Sequence, residues 1–285
     1  MKFHRHIVAL VIACASPSFA GTLAQFRTVL GDLDVELYDQ DKPVTVRNFI
    51  RYVQSDAYEK MFLHRCVPGF VIQGGGFAVT NRASTNDAVS FLNVTNFGTI
   101  TNEFTVGLRL SNVYGTVAMA KIGGDPNSAS SQWFFNLGDN STNLDNQNGG
   151  FTVFGRVVAG TNVLNSINAL AKGSGIVDLR WWFGDQAATF SDLPVNYDGV
   201  TYPRYDNLIY ADISLLGVRV RFLTDRATEV SWNSVSNRTQ HLEFTTNSPP
   251  VWWVLSSTNG TGSTVTVVDS NATNLFRFYR VRVDY

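Results

Sequence analysis

The stretch Leu63-His64-Arg65-Cys66-Val67-Pro68-Gly69-Phe70-Val71-Ile72-Gln73-Gly74-Gly75-Gly76-Phe77 constrains the fold of this chain more than any other. Apolar residues alternate with turn glycines as in strands joined by a tight turn, and one arginine and one glutamine stand among them. Polar groups inside strands are costly unless they meet partners, so this pattern points to a few fixed donors beside an apolar pocket. A second run, Ser130-Ser131-Gln132-Trp133-Phe134-Phe135-Asn136, adds another amide and three aromatics. Together the two runs suit an uncharged, peptide-like ligand.

The surroundings read as β structure with two helices. Phe26, Leu33, Val35 and Leu37 follow strand periodicity around a Gly31-Asp32 turn, which predicts a hairpin. Pro43 can open a helix whose apolar face is Val44, Val46, Phe49, Ile50 and Val53. Strand signals follow at 62–65, 70–73, 116–120, 132–137 and 152–157, and a second helix is predicted from Asn162 to Ala171, ended by Gly173. Residues 78–114 are polar and read mostly as surface loop with one irregular strand, and Gly138 to Gly150 is a second loop dominated by Asn and Asp.

Composition excludes several classes. The formal net charge is -1, which argues against electrostatic binding to nucleic acid or to an anionic membrane. No metal-ligand cluster and no phosphate-binding glycine loop is present, so neither metal nor cofactor is expected. Lys2, His4, Arg5 and His6, then the apolar Ile7 to Ala13, then Ser18-Phe19-Ala20, predict a signal peptide over residues 1–20. That run is too short to span a bilayer, and no other stretch reads as transmembrane. Val11-Ile12-Ala13-Cys14 also resembles a lipid-attachment box, a minor alternative in which Cys14 carries the anchor. Either route implies periplasmic or secreted localisation. Once Cys14 leaves with the signal, Cys66 has no cysteine to pair with and reads as a buried small hydrophobe.

After Gly173 the character changes. Residues 174–206 hold Trp181, Trp182, Phe183 and two prolines with little periodicity, and read as a packed linker. Strand signals then recur at Ile213–Phe222, Thr228–Trp232, His241–Thr245, Val251–Leu255, Thr264–Val268 and Phe276–Val283. Short strands at this spacing predict a small β-sandwich over 207–285. It resembles the fibronectin-like modules of secreted bacterial proteins through Thr228-Glu229-Val230-Ser231-Trp232 and the closing run Phe276–Val283. Trp252 and Trp253 are neighbours, so a regular strand would turn one of them outward as a candidate surface for a further partner.

Residues 26 to about 170 resemble the cyclophilin-type peptidyl-prolyl cis-trans isomerases. Four blocks in order carry the resemblance: Phe62 to Phe77, Gly115-Thr116-Val117-Ala118-Met119-Ala120, Ser131-Gln132-Trp133-Phe134-Phe135, and Val153-Phe154-Gly155-Arg156-Val157. It implies a mostly β fold, a closed eight-stranded antiparallel barrel with two helices, over residues 24–173. It also implies proline-containing polypeptides as partners and no cofactor. Rotation about a prolyl amide breaks resonance against a barrier of roughly 18–20 kcal/mol, and no covalent bond is cleaved. Catalysis therefore needs differential binding of the twisted amide, not a nucleophile.

By this resemblance Arg65 is the catalytic arginine, and Gln73 is the amide that touches both arginine and substrate. Gln132 lines the neighbouring subsite. Phe70, Phe134 and Leu144 form the proline pocket, with Met119 at its edge, while Ala120 and Lys121 line the adjacent groove, the Lys121 side chain reaching solvent. Phe151 stands where many eukaryotic members have histidine. Asn143 stands where they have tryptophan, which argues against strong cyclosporin inhibition. His64 is read as structural, since the reaction moves no proton. The alternative reading is a non-catalytic protein that holds proline-containing segments in the same groove.

Overall fold

A computed structural model describes residues 22–80, 82, 90–180, 189–196, 204–223, 226–234, 239–246, 251–261, 263–272 and 277–283. The expected signal peptide, Cys14 and Trp181, Trp182 and Phe183 lie outside the described residues.

Eight strands form one antiparallel sheet: β1 (Leu23–Thr28), β2 (Gly31–Leu37), β3 (Arg65–Val67), β4 (Val71–Gly74), β5 (Thr116–Met119), β6 (Trp133–Asn136), β7 (Val153–Ala159) and β8 (Asp212–Leu216). Their order is β8-β1-β2-β7-β5-β6-β4-β3. The sheet curls so that its edges approach. Just before β3 and β8, Leu63 N–H donates to Ile209 O at 2.8 Å and Ala211 N–H donates to Met61 O at 3.2 Å, with Phe62 bridging Tyr210. These bonds make the barrel's seam, and they replace the expected strand at 62–65, whose ladder begins only at Arg65.

The first hairpin turns at Val29 and Leu30, not at Gly31-Asp32, because Thr28 pairs directly with Gly31. The Thr28 hydroxyl fixes that turn by accepting from Leu30 N–H and donating to Gly31 O. Gly31 is required at φ +124°, and a Cβ there would stand 2.7 Å from Val163.

One sheet face encloses the main core. Phe26 meets the rings of Phe49, Trp133 and Phe135 at centroid separations of 5.8, 5.1 and 5.1 Å, spacings at which aromatic pairs attract beyond simple burial. Helix α1 (Pro43–Gln54) begins with proline at its first turn and buries Val46, Phe49 and Tyr52 here. Its free N-terminal amides are met by a distant side chain: the buried Glu103 carboxylate accepts from Val44 N–H at 3.1 Å and Thr45 N–H at 2.7 Å. The predicted second helix is also present, as α3 (Thr161–Asn168), packing Val163, Leu164 and Ile167. Between them lies one helix the periodicity misses, the single turn α2 (Ser141–Leu144) inside the Asn/Asp-rich loop.

The 78–114 stretch is less superficial than its polarity suggests. Phe77–Val79 pairs with Phe91–Asn93, and Val94, Glu103, Phe104 and Asn112 are buried.

Two differences from the expected domain borders matter. Ile213–Phe222 is not one strand of a sandwich, because the chain breaks at Gly217 and Asp212–Leu216 joins the barrel against β1. The reason is burial: Ile209 and Ala211 lie in the barrel core, and Ile213 and Leu215 pack against it. The intervening segment is also part of the structure of the barrel flank. Phe190, Leu193, Val195, Tyr205 and Leu208 form a second apolar cluster with Phe62, Phe77 and Val79 of the barrel.

Beyond Gly217 come β9 (Val218–Phe222), β10 (Thr228–Asn233), β11 (Thr239–Thr245), β12 (Trp253–Asn259), β13 (Thr264–Asp269) and β14 (Phe278–Val283). They form two three-stranded sheets, β9-β10-β13 and β12-β11-β14. Val230, Trp232, Leu242 and Val281 from both sheets share one core, and Trp232 Nε1 donates to Gln240 Oε1 at 2.7 Å. Of the neighbouring tryptophans, Trp253 is largely exposed, while Trp252 lies under the Arg280 guanidinium at 4.3 Å.

Candidate active site

Residues paired directly across antiparallel strands project to the same face of a sheet. The register pairs Arg65 with Gln73, Gln73 with Phe134, Phe134 with Ala118, and Ala118 with Val153. One row across β3, β4, β6, β5 and β7 therefore lines up a guanidinium, an amide, an aromatic ring and two small apolar groups. The neighbouring row, Cys66, Ile72, Phe135 and Val117, faces the barrel core. The two faces of the same strands thus separate folding from recognition.

The apolar end of the row runs into the apolar cluster expected to form the proline pocket. Val71, Ala118, Phe134, Leu144 and Val153 are its buried members, with partly buried Phe70, Ala120, Phe151, Tyr38 and Leu110 packed against them. Phe134 and Phe151 meet edge to face at 5.9 Å and 68°. Of the expected pocket residues, Met119 does not belong. It is buried in the barrel core with Val117, because strand alternation turns residues 117 and 119 inward while 118 and 120 face the pocket. Ala118, Val153, Leu110 and Tyr38 take part in that cluster without having been singled out in the sequence.

At the polar end, Gln73 Nε2 donates to Gln132 Oε1 at 2.6 Å. The Gln73 amide N–H is thus committed to Gln132, while Gln73 stays the direct cross-strand neighbour of Arg65. Both glutamines open onto a groove of about 420 Å³ that also includes Gly76, Ala120, Lys121 and Ile122. Gly76 keeps the groove close-fitting, since a Cβ would stand 3.0 Å from the Gln132 and His64 side chains and would press on both. Arg65 is half-buried and its guanidinium forms no hydrogen bond or ion pair with the described residues, so its fork of donors is uncommitted. The outer edge of its strand is covered by the segment before β8: Cys66 N–H donates to Asp192 O at 2.7 Å.

Two titratable neighbours are silenced by burial. His64 is fully enclosed, edge-on to Phe77, and burial followed by the Arg65 charge pushes its pKa down to about 3. It is therefore neutral at any physiological pH and cannot serve as an acid. Burial pushes the Cys66 thiol up to about 12, so it is an inert core group and not a nucleophile.

Lys121 departs from expectation. Its Nζ donates to Asn148 O at 2.7 Å and Gly150 O at 2.6 Å, and lies 4.6 Å from the centroid of the Phe151 ring. Unsatisfied carbonyls of the 148–150 turn draw the ammonium inward instead of leaving it to water.

A buried polar network supports the pocket from below. Asn112 Nδ2 donates to Asp145 Oδ1 at 2.8 Å and Phe151 O at 2.9 Å. Asn136 Nδ2 donates to Asn112 Oδ1 at 3.2 Å and Thr116 Oγ1 at 2.9 Å. Asn140 Nδ2 donates to Asn136 Oδ1 at 2.7 Å and Phe70 O at 2.8 Å. Through these bonds the backbones of Phe70 and Phe151 are fixed, and Leu144 follows because its N–H donates to Asn140 O. Asn136 was not singled out in the sequence, although an amide in an apolar strand demands partners and could have marked it. Asn112, Asn140 and Asp145 sit in polar loops that gave no such signal.

Among the described residues no group of three or more His, Cys, Asp or Glu could hold a metal ion.

Comparison with known proteins gives this geometry its family. The family model of the cyclophilin type peptidyl-prolyl cis-trans isomerase/CLD matches residues 23–179. A peptidyl-prolyl cis-trans isomerase of Acinetobacter baylyi is 35% identical over 164 residues, covering 56% of this chain and 80% of that protein. Peptidyl-prolyl cis-trans isomerase A of Dickeya dadantii is 37% identical over 168 residues, covering 57% and 80%. A crystal structure of a Cryptosporidium parvum cyclophilin-type isomerase, obtained in the presence of the dipeptide Ala-Pro, has a TM-score of 0.44 at 21% identity, covering 68% of this chain and 98% of its own. With its family match spanning more than half of its length, this chain belongs to the cyclophilin-type peptidyl-prolyl cis-trans isomerases.

Proposed function

We propose that the row running from Arg65 to Val153 isomerises Xaa-Pro bonds in exported polypeptides. The proline ring enters the apolar pocket of Phe70, Ala118, Phe134, Leu144 and Phe151, while the chain on its N-terminal side lies along the groove past Ala120 and Gln132. A seated proline ring fixes one side of the amide, so the preceding carbonyl must do the turning. In the twisted amide the nitrogen regains its lone pair, and the Arg65 guanidinium, set two strands from Phe134 on the same face, donates to it. Because that lone pair exists only near the transition state, the interaction favours rotation over mere binding.

The observation that carries this reading is the shared face of Arg65, Gln73 and Phe134. Export is supported by the composition of residues 1–20, and no helix among the described residues is long and apolar enough to cross a membrane. The test is an isomerisation assay on a short proline peptide, comparing the wild-type chain without residues 1–20 with its Arg65→Ala form. Turnover that drops in the variant supports the reading. Peptide binding with no turnover in the wild type would assign the protein to holding proline segments instead.

A further inference from the structure

Lys121 sits at the junction of the groove and the pocket. Its backbone follows Ala120, which packs on the pocket cluster, and its side chain spans the gap to the turn that delivers Phe151. That turn is an unusual acceptor. Asn148, Gly149 and Gly150 take left-handed φ values of 51°, 73° and 75° in succession. Three such residues cannot satisfy their carbonyls through a helix or a ladder, and they need donors from elsewhere. Lys121 Nζ supplies Asn148 O and Gly150 O, while Asn102 Nδ2 supplies Gly149 O at 2.8 Å and shares Gly150 O at 3.1 Å from the other side.

We propose that Lys121 is a positioning residue of the isomerase site: its ammonium pins the Asn148–Gly150 turn and thereby sets where the Phe151 ring stands over Phe134. This rests on the reading of the pocket given above. The ammonium also lies over the Phe151 face, where a cation is attracted to the ring. An uncharged or shorter side chain takes the donor from Asn148 O and leaves Gly150 O with Asn102 Nδ2 alone, which loosens the pocket's aromatic wall without touching Arg65.

A second observation makes the role testable. Partial burial lowers the Lys121 pKa to about 8, opposed by the Asp125 carboxylate, the charged group that faces it. Raising the pH removes the charge that makes these hydrogen bonds strong, whereas an arginine would keep it.

The experiment uses the full mature chain as wild type, Lys121→Met and Lys121→Arg, with a proline tetrapeptide, measuring kcat and KM separately from pH 6.5 to 9.5. At pH 7 Lys121→Met is expected to lose about tenfold in kcat/KM, mainly through KM, as for a misplaced binding wall. Wild type is expected to decline about threefold between pH 7 and 9.5, as charge-assisted bonds become neutral ones. Lys121→Arg should restore activity and remain flat over that range. A Lys121→Met enzyme within twofold of wild type at pH 7, or the same alkaline decline in all three proteins, overturns the inference while leaving the isomerase reading intact. A wild type that neither turns over nor binds the peptide overturns both.

Discussion

Gln73 Nε2 and Gln132 Oε1 are 2.6 Å apart, and that one bond decides how the polar end of the site is divided. With the Gln73 amide committed to Gln132, the two glutamines form a fixed rail along the groove, and Arg65 beside them is left as the only charged donor on the row. In the proposed mechanism this arrangement leaves backbone recognition to the amides and transition-state stabilisation to the guanidinium. Rotation about the amide breaks no covalent bond and moves no proton, in keeping with a His64 that is enclosed and neutral.

Arg65→Ala should lower kcat/KM by at least tenfold, the loss of about 1.4 kcal/mol or more that removing one well-aimed donor brings. Its melting temperature should move little, because Arg65 is half-buried and its guanidinium makes no hydrogen bond or ion pair with the described residues. Arg65→Lys should recover only part of the rate, since a point charge lacks the planar fork. Isomerisation rates paired with thermal melts check this. Wild-type turnover in the alanine variant would remove Arg65 from the mechanism.

Asn136→Ala should cost both stability and catalysis. It strips a donor from Asn112 and Thr116 and an acceptor from Asn140, all in a buried setting. Leaving such groups unsatisfied costs about 1–3 kcal/mol. Because Asn140 also holds Phe70 O, the pocket should loosen and KM should rise in protein that is still folded. Denaturant melts give the first number and steady-state kinetics the second. An unchanged KM in folded Asn136→Ala would confine the network to stability.

How much of this was legible in the sequence follows from periodicity. The short apolar strands of the site were legible from their pattern, whereas the roles expected of Arg65, Phe70, Gln73 and Phe134 rested on the family resemblance; the register then sets Arg65, Gln73 and Phe134 in one row, with Phe70 in the turn before β4. Met119 was misplaced because it was read as a residue type and not by its parity with Val117. Lys121 was sent to solvent because a sequence does not show that the 148–150 turn leaves carbonyls without donors. The strand Asp212–Leu216 was given to the wrong domain for a related reason: its partner, β1, is nearly two hundred residues away, and no local pattern records that pairing.

His64 gives a stability effect with a definite sign. A histidine in the unfolded chain titrates near 6.5, whereas His64 in the fold is pushed down to about 3. Between those values the unfolded state binds the proton and the native state does not. Stability should therefore fall as pH drops from about 6.5 toward 3, with this contribution fully present above the unfolded value. Over pH 5.5 to 7.5 kcat/KM should stay flat, since His64 does not change charge there. NMR of the ring should show no titration of His64 between pH 8 and 5 in the native protein. A midpoint near 6.5 would show that the ring is hydrated and the burial argument wrong.

A chain ending at Gly217 should fold and isomerise, and a chain ending near Gly175 should not fold. The shorter one deletes β8, which hydrogen-bonds to β1 along five residue pairs from Leu23↔Leu216 to Arg27↔Asp212. It also removes Ile209 and Ala211 from the core and opens the seam bonds to Met61 and Leu63, next to the strand that carries Arg65. Losing Phe190, Leu193 and Leu208 would further expose Phe62 and Phe77, an apolar patch of the kind that drives aggregation. The longer chain keeps all of this and loses only the two small sheets, whose core of Val230, Trp232, Leu242 and Val281 is separate. Circular dichroism, gel filtration and the isomerisation assay on both truncations decide the matter. A soluble, active chain ending near Gly175 would mean that β8 is dispensable. An inactive but folded chain ending at Gly217 would mean that the C-terminal sheets contribute to the site.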